Sequence, residues 1–104
     1  MNKEMLKGTI DLLILSTLAL ADNYGYEISK EIKDRTEGMF EIQEASLYLS
    51  LKRLEKNNCI EAYWGTQSHG GKRKYYRLTD LGSKQLEEIK RDWIKVSEMV
   101  KRFL

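Results

Sequence analysis

The stretch "ASLYLSLKRLEKNNCIEAYWGTQSHGGKRKYYRLT", residues 45–79, changes periodicity half-way along. Leu47, Leu51 and Leu54 recur at i, i+4 and i+7, the buried stripe of a helix over about 44–57. Asn57 and Asn58 suit the left-handed position at which a helix ends. "CIEAYWG" and "RKYYRLT" are rich in β-branched and aromatic residues, and the glycine-bearing "TQSHGGK" joins them, so the spacing predicts a β-hairpin over about 60–79. Thr79 is a good N-cap for a last helix that runs from about Asp80 to the end of the chain.

Upstream, residues 5–21 are strong helix formers, and Leu6, Ile10, Leu12, Leu13, Ile14, Leu15, Leu18 and Leu20 lie almost all the way round that helix. Such a helix needs cover on more than one side. "DNYG" breaks the pattern, a second helix follows from Gly25 to about Arg35, and Gly38 ends it. "FEI", residues 40–42, alternates as a short strand would. Helix, helix, short strand, helix, hairpin, helix is the order of a mainly α (α+β) winged helix-turn-helix, in which the third helix is offered to the DNA major groove and the hairpin to the flanking backbone. The expected division is a winged helix unit over 1–79 and a C-terminal helix over 80–104.

With 104 residues the chain is one domain with a single modest core. Hydrophobic residues at 41% and charged residues at 33% fit a folded, helix-rich protein rather than a disordered one. A net charge of +2 is too small for a general polycation, so affinity for nucleic acid must come from local clustering. Cys59 is the single cysteine and His69 the single histidine, which leaves no internal disulfide and no four-ligand zinc site. The apolar run "IDLLILSTLALA" is interrupted by Asp11 and falls short of the roughly 20 residues that span a bilayer. A cytoplasmic protein without a membrane segment or cofactor is expected.

Two clusters carry the functional reading. Placed at 100° per residue, the side of the third helix opposite its leucines gathers Ala45, Tyr48, Leu49, Lys52, Arg53 and Lys56, with Ser46 beside them. The cations suit phosphates, Ser46 and Tyr48 offer hydroxyls, and Ala45 and Leu49 suit a thymine methyl. In the hairpin, alternation sends Lys74, Tyr76 and Leu78 to one side and Arg73, Tyr75 and Arg77 to the other, with Tyr76 and Leu78 toward the core. No acid stands between Glu61 and Asp80, so Lys72, Arg73 and Lys74 give the wing a positive potential that sequence neighbours do not cancel. Gly70 and Gly71 let the tip approach a phosphate closely. Each cluster alone would pass as a solvated face; together they point to DNA.

In the last helix Leu86, Ile89, Trp93, Val96, Val100 and Phe103 are spaced 3, 4, 3, 4, 3, a two-stranded seam. A helix of about 25 residues is a rod of roughly 37 Å, longer than a three-helix unit needs, so a symmetric homodimer is expected, the last helix packing on its mate and on helix 5–21 of the partner. Two third helices related by a two-fold axis would read half-sites about 34 Å apart, an inverted-repeat double-stranded DNA operator.

"NYGYEI" at 23–28, "ASLYLSLKRLEKN" at 45–57 and "GGKRKYYRLTDLG" at 70–82 resemble, in order and spacing, the PadR-like family of bacterial transcriptional regulators, over essentially the whole chain. The resemblance implies a homodimeric winged helix repressor, and the single short C-terminal helix looks like the small subfamily with multidrug-sensing members. Carried over by position, Tyr48, Lys52 and Arg53 match the third-helix motif, and Arg73, Lys74 and Tyr76 match the wing. Leu49 stands where many members have proline, Asn58 where glycine is common, and Lys72 where proline often follows the glycines.

Trp93 has two readings, a core residue or the wall of an apolar slot between first and last helices. The multidrug-sensing resemblance implies a flat, hydrophobic aromatic effector stacked on it, with Leu6, Ile10, Ile14 and Val96 as further walls and Asp11 near the mouth. Ser97, one turn on, brings no carboxylate to favour cations. A ligand that wedges the helices would release DNA through its differential affinity for the two dimer geometries. An enzyme is not expected: no catalytic pairing can be built around His69, and there is neither a phosphate-cradling glycine loop nor a convincing pair of carboxylates. The remaining alternative is a winged helix module for protein contacts without specific DNA binding.

Overall fold

The computed structural model describes residues 8–66 and 71–104. Four helices and a small antiparallel sheet form a winged helix: α1 (Ile10–Leu20), β1 (Asn23–Tyr24), α2 (Gly25–Arg35), α3 (Glu44–Lys56), β2 (Ile60–Thr66), β3 (Lys72–Leu78) and α4 (Asp80–Lys101). The sheet order is β1-β3-β2.

Leucine and isoleucine make α1 a good helix and give it three sides to bury. Ile14, Leu15 and Leu18 are buried, Ile10, Leu12 and Leu13 lie half-buried against the same core, and Leu20 is exposed. The buried Thr17 hydroxyl donates to the Leu13 carbonyl at 2.8 Å, so it carries no unmet polar group into the interior. Ile28 and Ile32 of α2, Leu47, Leu51 and Leu54 of α3, Ile60 and Tyr76 of the sheet and Leu86 of α4 complete the core. Burial pushes the Tyr76 phenol above its ordinary pKa.

Helix ends follow the expected chemistry. Asn58 takes the left-handed conformation at φ 63°, and the amide of Cys59 returns to the Leu54 carbonyl at 2.9 Å, closing α3. The Thr79 hydroxyl accepts from the Gly82 amide at 2.9 Å and donates to the carbonyls of Asn58 and Cys59, so one side chain both starts α4 and ties it to the end of α3. Gly38, at φ 77°, lies beyond α2, its amide bonded to the Lys33 carbonyl at 2.8 Å.

One local expectation is corrected. Residues 40–42 are not a strand; the third strand of the sheet is Asn23–Tyr24, paired with Tyr76 and Tyr75. Ile42 is buried, and the Thr36 hydroxyl accepts from the Phe40 amide at 3.2 Å, so this segment is pinned as an irregular link between α2 and α3. The free edge of β3 is already taken by β1. No described helix is long and apolar enough to cross a membrane.

Candidate nucleic-acid interface

Helix α3 presents to solvent the face the sequence marks: Ala45, Ser46, Tyr48, Leu49, Lys52, Arg53 and Lys56 are all exposed. Leu49 is 67% exposed, although an apolar side chain at that point gains nothing from water. Among the described residues Lys52 and Lys56, at the centre of this face, have no ion-pair partner. Arg53 lies at its flank, where its Nη2 donates to Oδ1 of Asp11 on α1. Tyr48 rests against the start of α2: a β-carbon added at Gly25 would lie 2.6 Å from its hydroxyl oxygen.

The wing borders the other flank. Lys74 Nζ is 3.8 Å from Glu55 on α3, joining β3 to the helix, and sits 5.6 Å from the Tyr76 ring. On the opposite face of the sheet three tyrosines pack together: Tyr63 stacks on Tyr75 at 5.7 Å, and Tyr24 meets Tyr75 edge-on at 5.5 Å. Arg73 lies 4.6 Å above Tyr24 and Arg77 5.4 Å above Tyr63. Arg77 also holds Glu61 through Nη2 at 2.8 Å. The Tyr75 ring occupies the space a β-carbon on Gly65 would need, the shortest approach being 2.6 Å, which is why glycine stands there.

Thus the positive potential of the wing is partly cancelled after all. The absence of acids along the hairpin from 62 to 79 says nothing of Glu55, brought in by tertiary packing, or of Glu61, brought opposite Arg77 by strand register. Lys72 and Arg73 remain the cations of the wing without an acidic partner among the described residues. Gly71, at φ 95°, needs to be glycine; Gly70 and His69 lie outside the described residues.

Residues 14–88 match the sequence profile of the transcriptional regulator PadR-like family. The chain belongs to that family. This PadR-like protein is 48% identical over 101 residues to an uncharacterised protein of Lysinibacillus sphaericus, covering 97% of this chain and 93% of the other. It is 31% identical over 94 residues to the transcriptional regulator YqjI of Escherichia coli, covering 90% of this chain but 44% of that protein. Among solved structures, a transcriptional regulator from Clostridium thermocellum superposes with a TM-score of 0.91 at 36% identity, over 98% of this chain and 99% of that one. A PadR family regulator from Clostridium difficile gives 0.81 at 43% identity, over 91% and 97% of the two chains. The PadR-like protein is therefore a transcriptional regulator with a winged helix DNA-binding fold, and not an enzyme.

The last helix of the PadR-like protein divides its apolar stripe. Leu86 is buried and Ile89 half-buried against the core of its own chain, whereas Trp93 is 42%, Val96 48% and Phe103 87% exposed. Val100, Ile94 and Met99 are exposed as well. Within one chain α1 already packs against α4.

The residues grouped around Trp93 are not brought together as expected. Ile14 is fully buried in the core and offers no wall; Ile10 packs half-buried against that core; Asp11 is engaged by Arg53; Val96 points to another side of α4. Leu6 lies outside the described residues. Trp93 instead lines an open groove of about 400 Å³ with Leu12, Lys90, Ile94, Ser97 and Glu98. Glu98 thus supplies a carboxylate where Ser97 alone suggested none. At the turn before the wing, Cys59 is buried, and burial, with the charge of Asp11 second, pushes its thiol above the ordinary value, away from reactive thiolate.

Proposed function

We propose that this PadR-like protein is a repressor that binds an inverted-repeat DNA operator as a homodimer, with residues 1–79 reading DNA and residues 80–104 joining the protomers. The observation that carries the reading is the exposed face of α3, where Leu49 stands between unpaired Lys52 and Lys56 and the Lys74–Glu55 pair fastens the wing alongside. An exposed leucine between cations fits a groove floored by thymine methyls and walled by phosphates. Lys72, Arg73 and the turn at Gly71 suit the neighbouring backbone. The exposed Trp93, Val96, Val100 and Phe103 supply the seam between protomers.

A flat aromatic effector is proposed for the groove at Trp93, where it would compete with the dimer geometry that spaces the two α3 helices. Quenching of Trp93 fluorescence by planar aromatic compounds, coupled to loss of DNA binding, measures this directly.

The test of DNA reading is salt dependence. Wild-type affinity for a selected duplex falls log-linearly with salt, and K52A/K56A lowers the slope by about 1.8, roughly 0.9 for each lost phosphate contact, with the dimer intact. A slope unaffected by both substitutions would leave the module with protein contacts only.

A further inference from the structure

Asp11 interrupts an otherwise apolar run, and the start of a helix explains only its tolerance there, since a carboxylate in the first turn is favoured by the helix dipole. It does not explain its partner. The carboxylate accepts from the guanidinium of Arg53, 42 residues along the chain and on the flank of the DNA-facing side of α3. Asp11 is partly covered and Arg53 remains half exposed. The contact is single: Nη2 meets Oδ1, and Asp11 is the one acidic partner Arg53 has among the described residues. A guanidinium has five N–H groups in a rigid plane, so one edge can be held by a carboxylate while the others stay available to a phosphate.

We propose that Asp11 is a positioning residue for DNA binding, holding Arg53 against α1 so that the free edges of its guanidinium meet the sugar–phosphate backbone beside the groove that α3 enters. The proposal rests on the DNA-binding reading above. An arginine free in solvent gives up rotamer freedom when it seats a phosphate, and one already held gives up less. The contribution of Asp11 is therefore order, while the charge that displaces counterions belongs to Arg53.

That division fixes the test. The probe is a duplex of about 30 base pairs, long enough for two half-sites, enriched by in vitro selection on the wild-type protein. D11A is expected to raise Kd about fivefold, the scale of one immobilised long side chain, with the slope of log Kd against log salt unchanged because Arg53 keeps its charge. D11E recovers part of the loss. R53K keeps the charge without the fork and loses as much as D11A, and D11A/R53K loses no more than either. A merely structural role for Asp11 would shift the thermal midpoint and would multiply with R53K. Unchanged affinity in D11A overturns the proposal, as does tighter binding with a slope steeper by about one, which would mean that Asp11 masks Arg53. If D11A does not fold, the comparison of R53K with D11E, which folds with the ion pair retained, decides: equal affinity of R53K and wild type overturns the proposal. A wild-type protein that enriches no duplex takes down the DNA reading itself, whereas a wild type that binds while D11A matches it takes down the positioning role alone.

Discussion

The hydroxyl of Tyr48 lies 2.6 Å from where a β-carbon on Gly25 would stand, so the first residue of α2 makes room for an aromatic ring on the DNA-facing side of α3. The obstructing atom is the outer end of a half-exposed side chain, which can swing away. G25A should therefore cost little stability, under about 1 kcal/mol, since alanine also favours helix over glycine. Tyr48 should move, and DNA affinity should fall by as much as in Y48A. Thermal melting set beside a gel shift separates the two effects.

Gly82 is a different case. A β-carbon there would stand 1.9 Å from the Cys59 carbonyl oxygen, which also accepts from the Thr79 amide at 3.1 Å and its hydroxyl at 3.0 Å. Backbone cannot swing aside, so G82A must separate α4 from the turn that precedes the wing. A loss of about 3 kcal/mol or more is expected in chemical denaturation, within the range for overpacking and broken hydrogen bonds combined.

The seam can be tested without harming the core, because Val96 and Val100 are both exposed in the single chain. V96E/V100E is expected to keep its helical circular dichroism and to sediment at half the mass of the wild-type protein. It should also lose cooperative binding to paired half-sites while each half-site is still bound weakly.

Tyr63 donates to Oδ2 of Asp22 at 2.6 Å, and this hydrogen bond is the main reason its phenol titrates above the ordinary value; desolvation and the Asp22 charge add to it, and Arg77 opposes. The protonated phenol is the form the fold favours. Its contribution is complete below the unfolded value of about 10 and disappears as pH rises through the higher folded value. Tyrosinate absorbance of the folded protein should show a late-titrating component that D22N moves down and Y63F removes.

Sequence periodicity revealed α3, the hairpin and the Thr79 cap because each is a local arrangement. Leucines four and three apart, alternation in "RKYYRLT" and a threonine before a helix carry their own reason. The strand Asn23–Tyr24 did not show, since two residues have no period and their pairing with β3 is set by the packing of α1 and α2. For the same reason the pairing of Glu55 with Lys74 and of Asp11 with Arg53 left no local trace. The α4 stripe showed its period but not its division between the protein's own core and a second surface, because Leu86 and Phe103 obey the same repeat.

That division has a consequence for descent. Helix α4 is rooted by Leu86 and Ile89, and everything from Trp93 onward leaves the reading unit untouched. Duplicated copies of such a gene can diverge in who pairs with whom by changes confined to the last dozen residues, keeping the same DNA target while becoming insulated from their paralogues.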